Sequence, residues 1–177
     1  MKFLLLNGTL KVDSELSNTF TLCQMVKAGF EALGHECELV TLSEMEYKRS
    51  TDDVQDDLQP VIQKMFSVDG LIFATPIWWG GHSSYIQTII ERMDFIETFG
   101  YEEDYKPFYG KVFGTVVSGG GDGFQHIHGV NYNFATMLGF TVPPQCNIES
   151  ATQGRDCLLY TSDAADERSS VDLGGRR

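Results

Sequence analysis

Short apolar runs alternate with amphipathic stretches along this chain, and the alternation lays out its elements. Phe3 to Leu6 is apolar, opens on Lys2 and closes on Asn7-Gly8; this predicts a buried strand over Lys2 to Leu6 feeding a turn. After the polar loop from Thr9 to Ser17, apolar residues return at Phe20, Cys23, Val26, Phe30 and Leu33. Their helical spacing predicts a helix that Ser17 or Asn18 can cap and that Gly34 stops. Cys37 to Leu42 reads as a second strand. Asp52 to Phe66 carries Val54, Leu58, Ile62 and Met65 along one helical face, and Pro60 within it forces either a kink or a fresh helix start. Asp69-Gly70 turns the chain into a third strand, Leu71 to Thr75. Ser83 then caps a helix with Ile86, Ile89, Ile90, Met93 and Ile96 as its apolar stripe and Glu91, Arg92 and Asp94 as its wet face. Glu97 to Gly110 has neither period and is expected to be a long loop of the lid or interface kind. Val112 to Val117 is a fourth strand, His128 to Leu138 a helix closed by Gly139, and Thr141 to Ile148 a fifth strand. Pro143 and Pro144 mark that last strand as an edge or an irregular start.

Five strands alternating with four helices predict an α/β fold built on a doubly wound parallel sheet. A fifth helix should follow the fifth strand, and it would begin about where the chain changes character. From Cys157 the string resembles translated sequencing adapter, in two segments, Cys157 to Glu167 and Val171 to Arg177, that stand in the expected order around a short index. The expected division is therefore a domain over 1–156 that lacks its final helix and a non-native tail over 157–177.

With 177 residues the chain has room for one domain with a sizeable core. Its apolar start is too short for a signal-peptide core or a membrane span, so a cytoplasmic address is expected. Cys23, Cys37, Cys146 and Cys157 lie far apart, without the paired spacing of a zinc, iron–sulfur or dithiol site, and read as isolated reduced thiols. A formal charge of -12 argues against nucleic acid or an anionic membrane as partner.

The chemistry gathers in three loops, each leaving the carboxyl end of a predicted strand, where open α/β sheets bind their ligands. The first runs from Asn7 to Thr19. A helix N-terminus there offers free amides and partial positive charge, Thr9, Ser17, Asn18 and Thr19 add side-chain donors, and Lys11 supplies a cation, so a phosphate monoester fits. An ordinary capped helix is an equal reading of that loop alone. No Gly-Lys-Ser/Thr follows a glycine-rich run and no GxGxxG is present, so neither a P-loop nor the usual dinucleotide fingerprint applies. The second loop, Pro76-Ile77-Trp78-Trp79-Gly80-Gly81, ends an apolar strand in two adjacent indoles and two glycines. Core packing does not ask for that; a flat ligand does, with backbone amides on its polar edge and an indole on or beside its face, and a domain or subunit contact is the other reading of the two tryptophans, for one of them even alongside the ligand. The third, Ser118-Gly119-Gly120-Gly121-Asp122-Gly123, allows close backbone approach to a ring or a polyol chain. Together they point to a flavin held by loops rather than by catalytic side chains. His126 and His128 flank the third loop without a third ligand and read as surface or helix-start histidines, not a metal site.

These residues resemble the flavodoxin-like NAD(P)H-dependent oxidoreductases of the FMN reductase group, over about Lys2 to Asp156. Gly8-Thr9-Leu10-Lys11 with Ser17-Asn18-Thr19 corresponds to the family's phosphate loop, Lys11 standing at its Arg position behind a longer spacer. Thr75-Pro76-Ile77-Trp78-Trp79-Gly80 corresponds to its flavin loop, and the helix from Ser84 to Arg92, Gly110-Lys111 and the glycines after the fourth strand also match. The resemblance implies a flavodoxin-like strand order 2-1-3-4-5, bound FMN, NAD(P)H as co-substrate and a homodimer. It further implies hydride transfer through FMN to a small-molecule electron acceptor: a quinone, an azo or nitro compound, or a flavin. No acid–base side chain is obligatory for that reaction. Trp78, Trp79 or the Tyr101 to Tyr109 loop would shape the nicotinamide pocket. The family's iron–sulfur branch carries clustered cysteines after the second strand, and Tyr47 to Asp53 has none. The alternatives are a flavodoxin-type electron carrier serving a protein partner, and an interaction protein of the same fold that has lost its cofactor.

Overall fold

β1 (Lys2–Asn7) is paired along both edges, by β2 (Glu36–Thr41) on one side and β3 (Gly70–Pro76) on the other. β4 (Val112–Gly119) and β5 (Asn147–Ala151) extend the sheet beyond β3, all pairs are parallel, and the order is β2-β1-β3-β4-β5. The sequence-based order and fold class hold. The computed structural model describes residues 1–13, 16–49, 55–94 and 107–151. The expected fifth helix, the tail over 157–177 and most of the loop from Glu97 to Gly110 lie outside these.

The period of two along the strands divides the core. Leu4, Leu6, Leu71, Phe73 and Phe113 face one way, toward α2 (Leu58–Met65), α3 (Ser84–Arg92) and α4 (Phe124–Met137). Phe3, Leu5, Ile72, Ala74 and Val116 face the other way, where Leu22 and Cys23 of α1 (Asn18–Ala32) pack on them. The central strands are apolar on both faces because both faces are covered, as parallel sheets require. Beside α1 the same face carries an apolar groove of about 320 Å³, bordered by Phe30, Ile72, Val116, Cys146 and Ile148. No helix among the described residues is long and apolar enough to cross a membrane.

Local chemistry explains where elements begin and end, and where the sequence reading needs correcting. α2 starts afresh at Leu58, with Pro60 in its first turn, where its missing N–H costs little; Asp52 to Val54 lie outside the described residues. β4 runs through Ser118 and Gly119, two residues past its expected end, because they pair with Ser150 and Ala151. α4 begins at Phe124, four residues early, at a Gly123 with φ of 108°. β5 is Asn147–Ala151 rather than Thr141 to Ile148, since Pro143 and Pro144 cannot donate to a ladder and Gln145 turns at φ 59°. Phe108, in the expected long loop, is fully buried and stacks on Phe66 and Phe140 at 5.1 and 4.4 Å.

Two polar groups also leave the surface. Arg92, expected on the wet face of α3, is buried against Asp56, with side chains 3% and 7% exposed and Nη1 2.9 Å from Oδ2. His128, expected at the surface or at a helix start, is buried in the second turn of α4. Its Nδ1 lies 2.6 Å from the Thr115 hydroxyl and its Nε2 3.0 Å from Glu149, tying α4 to β4 and β5. Tyr132 and Cys146 join this cluster, the Tyr132 hydroxyl 3.2 Å from Thr115 Oγ1. Burial pushes the His128 imidazole below its ordinary 6.5, outweighing the upward pull of Glu149. The unfolded chain therefore binds the proton more readily, and stability is lost as pH falls below about 6.5. Thermal melts across pH 5 to 7 are expected to show Tm falling toward acid, with His128→Asn flattening that dependence.

Candidate functional site

The three loops converge above the carboxyl ends of β1, β3 and β4. Gly8 N donates to the Ala74 carbonyl at 2.8 Å, joining the first loop to the end of β3. The Thr19 and Ser118 hydroxyls meet at 2.7 Å, joining α1 to the end of β4. Ile77 N donates to the Ser118 carbonyl at 2.9 Å, and Gly119 passes so close to Ile77 that an added Cβ would lie 2.8 Å from that side chain. One surface therefore carries all three.

At the start of α1, hydroxyls are buried rather than displayed. Thr9, Ser17 and Thr19 are each 2% exposed. Ser17 Oγ accepts from Phe20 N at 3.2 Å as the helix cap and donates to Thr9 Oγ1 at 2.7 Å, while Asn18 opens the helix itself. Buried hydroxyls around a helix N-terminus form a neutral, donor-rich cradle, the chemistry an anion needs. The Lys11 ammonium donates to the Leu16 carbonyl, and its own amide donates to Thr9 Oγ1 at 3.3 Å, so the cation is held across its own loop beside the cradle. Residues 14 and 15 of that loop lie outside the described ones. Ser17→Ala removes a cap and is expected to cost about 1 kcal/mol of stability, read by urea denaturation.

The second loop is tighter than its sequence suggests. Trp78 N donates to the Gly81 carbonyl at 2.8 Å and Gly81 N returns the bond at 2.9 Å, closing a two-residue turn with φ of 50° at Trp79 and 77° at Gly80. Both central residues are left-handed, the type I′ arrangement. Pro76 and Ile77 are partly buried at its stem, Trp78 is half exposed, and Trp79 is fully exposed. The stem is held from below: Ser83 N donates to Thr75 Oγ1 at 2.8 Å, and Ser83 Oγ caps α3 by accepting from Ile86 N at 3.5 Å. The third loop leans on the turn, with Gly123 against the backbone of Gly80 and exposed Gly120, Gly121 and Asp122 at the rim.

The expected site residues are thus brought to one end of the sheet. The Trp79 indole stands fully exposed, resting on none of the described residues. Thr75, which the sequence reading placed in the flavin-loop segment without a task, is a buried hydroxyl whose bond from Ser83 N fixes the turn's base. Among the described residues no group of three or more His, Cys, Asp or Glu can hold a metal ion. Cys23, Cys37 and Cys146 carry free thiols, and burial pushes the Cys23 thiol up, away from nucleophilic use.

Comparison with known proteins agrees with this geometry. The family model described as NADPH-dependent FMN reductase matches residues 1–153. An 8-demethyl-8-aminoriboflavin-5'-phosphate synthase of Streptomyces davaonensis is 30% identical over 156 residues, covering 81% of this chain and 61% of that protein. An iron–sulfur flavoprotein of Archaeoglobus fulgidus is 26% identical over 129 residues, covering 68% of this chain and 60% of its own. A crystal structure of RosB with a bound 8-demethyl-8-formylriboflavin-5'-phosphate intermediate superposes with a TM-score of 0.73 at 28% identity, covering 87% of this chain and 67% of the other. The chain spans about three-fifths of the length of these two sequence relatives.

Proposed function

The chain belongs to the NADPH-dependent FMN reductase family, and from that premise we propose that it is an FMN-dependent NAD(P)H oxidoreductase. The acceptor is a flat organic molecule such as a quinone, an azo or nitro compound, or a free flavin. The observation that carries this reading is the convergence of the hydroxyl-lined start of α1 with two glycine-rich turns at one end of the sheet. The donor set suits FMN: three buried hydroxyls and Lys11 for the phosphate, and backbone of the second and third loops for the ring.

Each part of the chain has a task in that chemistry. Thr9, Ser17, Asn18 and Thr19 bind the phosphate with hydroxyls, amide and helix amides, while Lys11 offsets its charge in an otherwise acidic protein. Pro76, Ile77, Trp78 and Gly80 orient the ring from one side, and Ser118, Gly119, Gly120, Gly121 and Asp122 border it from the other. When bound, FMN supplies hydride acceptance from a reduced nicotinamide and onward delivery of the electrons. The protein contributes orientation and electrostatics, and no side chain needs to move a proton for hydride transfer itself.

The test is the visible absorption of protein reconstituted with FMN and desalted, before and after anaerobic NADPH and then NADH. A retained flavin band that bleaches promptly is expected. A retained band that does not bleach favours an electron carrier serving a protein partner, a reading to which the net charge of -12 is suited. No retained flavin would overturn the site.

A further inference from the structure

We propose that Trp79 is a stacking platform for the flat, uncharged aromatic acceptor, and so a specificity-determining residue rather than a wall of the flavin pocket. This rests on the flavin reading of the site and concerns what approaches that site from outside.

Three observations lead there. First, the indole is fully exposed, and among the described residues no side chain packs on it to account for a large aromatic at this position. Second, its backbone is left-handed, φ 50°, where a bulky side chain is disfavoured and Gly, Asn or Asp is the usual occupant. The turn would form more readily without it, so fold stability does not explain the ring. Third, the turn is rigid: two backbone hydrogen bonds close it, and Gly123 packs on Gly80 from the third loop. The braced turn fixes the backbone from which the ring projects, so that backbone has little further entropy to lose when a ligand arrives.

The surroundings choose the ligand class. Next to Trp79 in the turn stands half-exposed Trp78, a second large apolar ring, on a chain of net charge -12. Such a turn favours a flat neutral ring by stacking and burial, and repels a compact anion. A protein partner's aromatic side chain would use the same face, and oligomeric size separates that case.

Trp78 and Trp79 are the two tryptophans of the chain, so Trp78→Phe leaves Trp79 as its single indole reporter. Titration of that protein with menadione, a flat uncharged naphthoquinone, is expected to quench its fluorescence saturably. Trp79→Leu, reporting through Trp78, is expected to show linear collisional quenching. In steady state, Trp79→Leu should raise KM for menadione about tenfold relative to its effect on KM for ferricyanide, and Trp79→Phe should restore most of the loss. Linear quenching of Trp79, or equal changes in both KM values, would overturn the proposal. So would a fall in oligomeric size in Trp79→Leu, which assigns the ring to a protein contact. Failure of every variant to retain FMN overturns the flavin reading alone; the quenching titration needs no flavin and still decides the role of Trp79.

Discussion

Arg92→Ala is expected to lower the unfolding free energy by about 3–5 kcal/mol, because it leaves a carboxylate buried without its counter-charge. The guanidinium donates from Nη1 to Asp56 Oδ2 at 2.9 Å and to the Lys48 carbonyl at 3.2 Å, and from Nη2 to Asp56 Oδ1 at 3.3 Å and Gln59 Oε1 at 3.5 Å. Asp56 in turn accepts from Lys48 N and Leu58 N, both at 3.1 Å, so one carboxylate ties the approach to α2, the start of α2 and the end of α3 together. A loss of that size is a large part of the roughly 5–15 kcal/mol that holds a domain folded. Asp56→Asn should cost less, since an amide keeps some of these bonds, and the double replacement Asp56→Leu with Arg92→Met should recover much of the loss by burying apolar atoms instead of an orphaned charge. Chemical denaturation of the single and double variants measures this directly. The Arg92 guanidinium holds the Asp56 carboxyl below its ordinary 3.8, so the pair's stabilisation is present at neutral pH and is lost as pH falls below about 3.8. A flat response of stability to Arg92→Ala would show that water reaches the pair and that the connection before α2 is held by other means.

Gly123→Ala is expected to weaken FMN binding by roughly a hundredfold, the scale of a site displaced by about an ångström. At φ 108° an alanine is strained, and its Cβ would lie 2.6 Å from Gly80 Cα and from the Gly80 carbonyl oxygen. Both obstacles are backbone, so relief requires the second and third loops to part. Gly121→Ala is the control: φ there is 94°, but an added Cβ meets nothing within 4 Å, so it carries the backbone strain without the clash. Fluorescence titration with FMN should rank Gly123→Ala far below Gly121→Ala. Equal losses in the two would mean that loop conformation alone, and not the contact between the loops, governs retention.

Much of this architecture was legible because its signals are local. The stripes of α1 and α3, the apolar runs of β1 and β3 and the caps at Ser17 and Ser83 depend on neighbours a few residues away, and these elements begin where their patterns placed them, although α3 ends at Arg92 and Ile96 of its expected stripe lies outside the described residues. The misplaced features depend on distant partners. Arg92 reads as a wet-face residue until Asp56, 36 positions earlier, is brought beneath it. The start of β5 is set by the register it finds on β4, where Asn147 meets Thr115, rather than by its own apolar residues. α4 starts early because Gly123 can turn where the third loop meets Gly80, a contact between loops 43 residues apart. For the site, the three loops were readable as strand ends rich in hydroxyls and glycines, whereas the pose of Trp79 was not. A pair of tryptophans before a pair of glycines says that an aromatic surface is needed, but only the hydrogen bonds of the turn decide which ring leans in and which stands out.

The position of β1 between β2 and β3 carries a consequence for how the molecule is made. As the chain leaves the ribosome, β1, α1 and β2 can assemble from the first 41 residues, yet the other edge of β1 must wait for Gly70–Pro76, and the far edge of β3 for Val112–Gly119. The turn at Trp79 has nothing to lean on until Gly123 has been synthesised. A half-made chain therefore has the start of α1 in place while its partners at Ala74 and Ser118 are still to come, and the three-loop surface closes only once the sheet is complete.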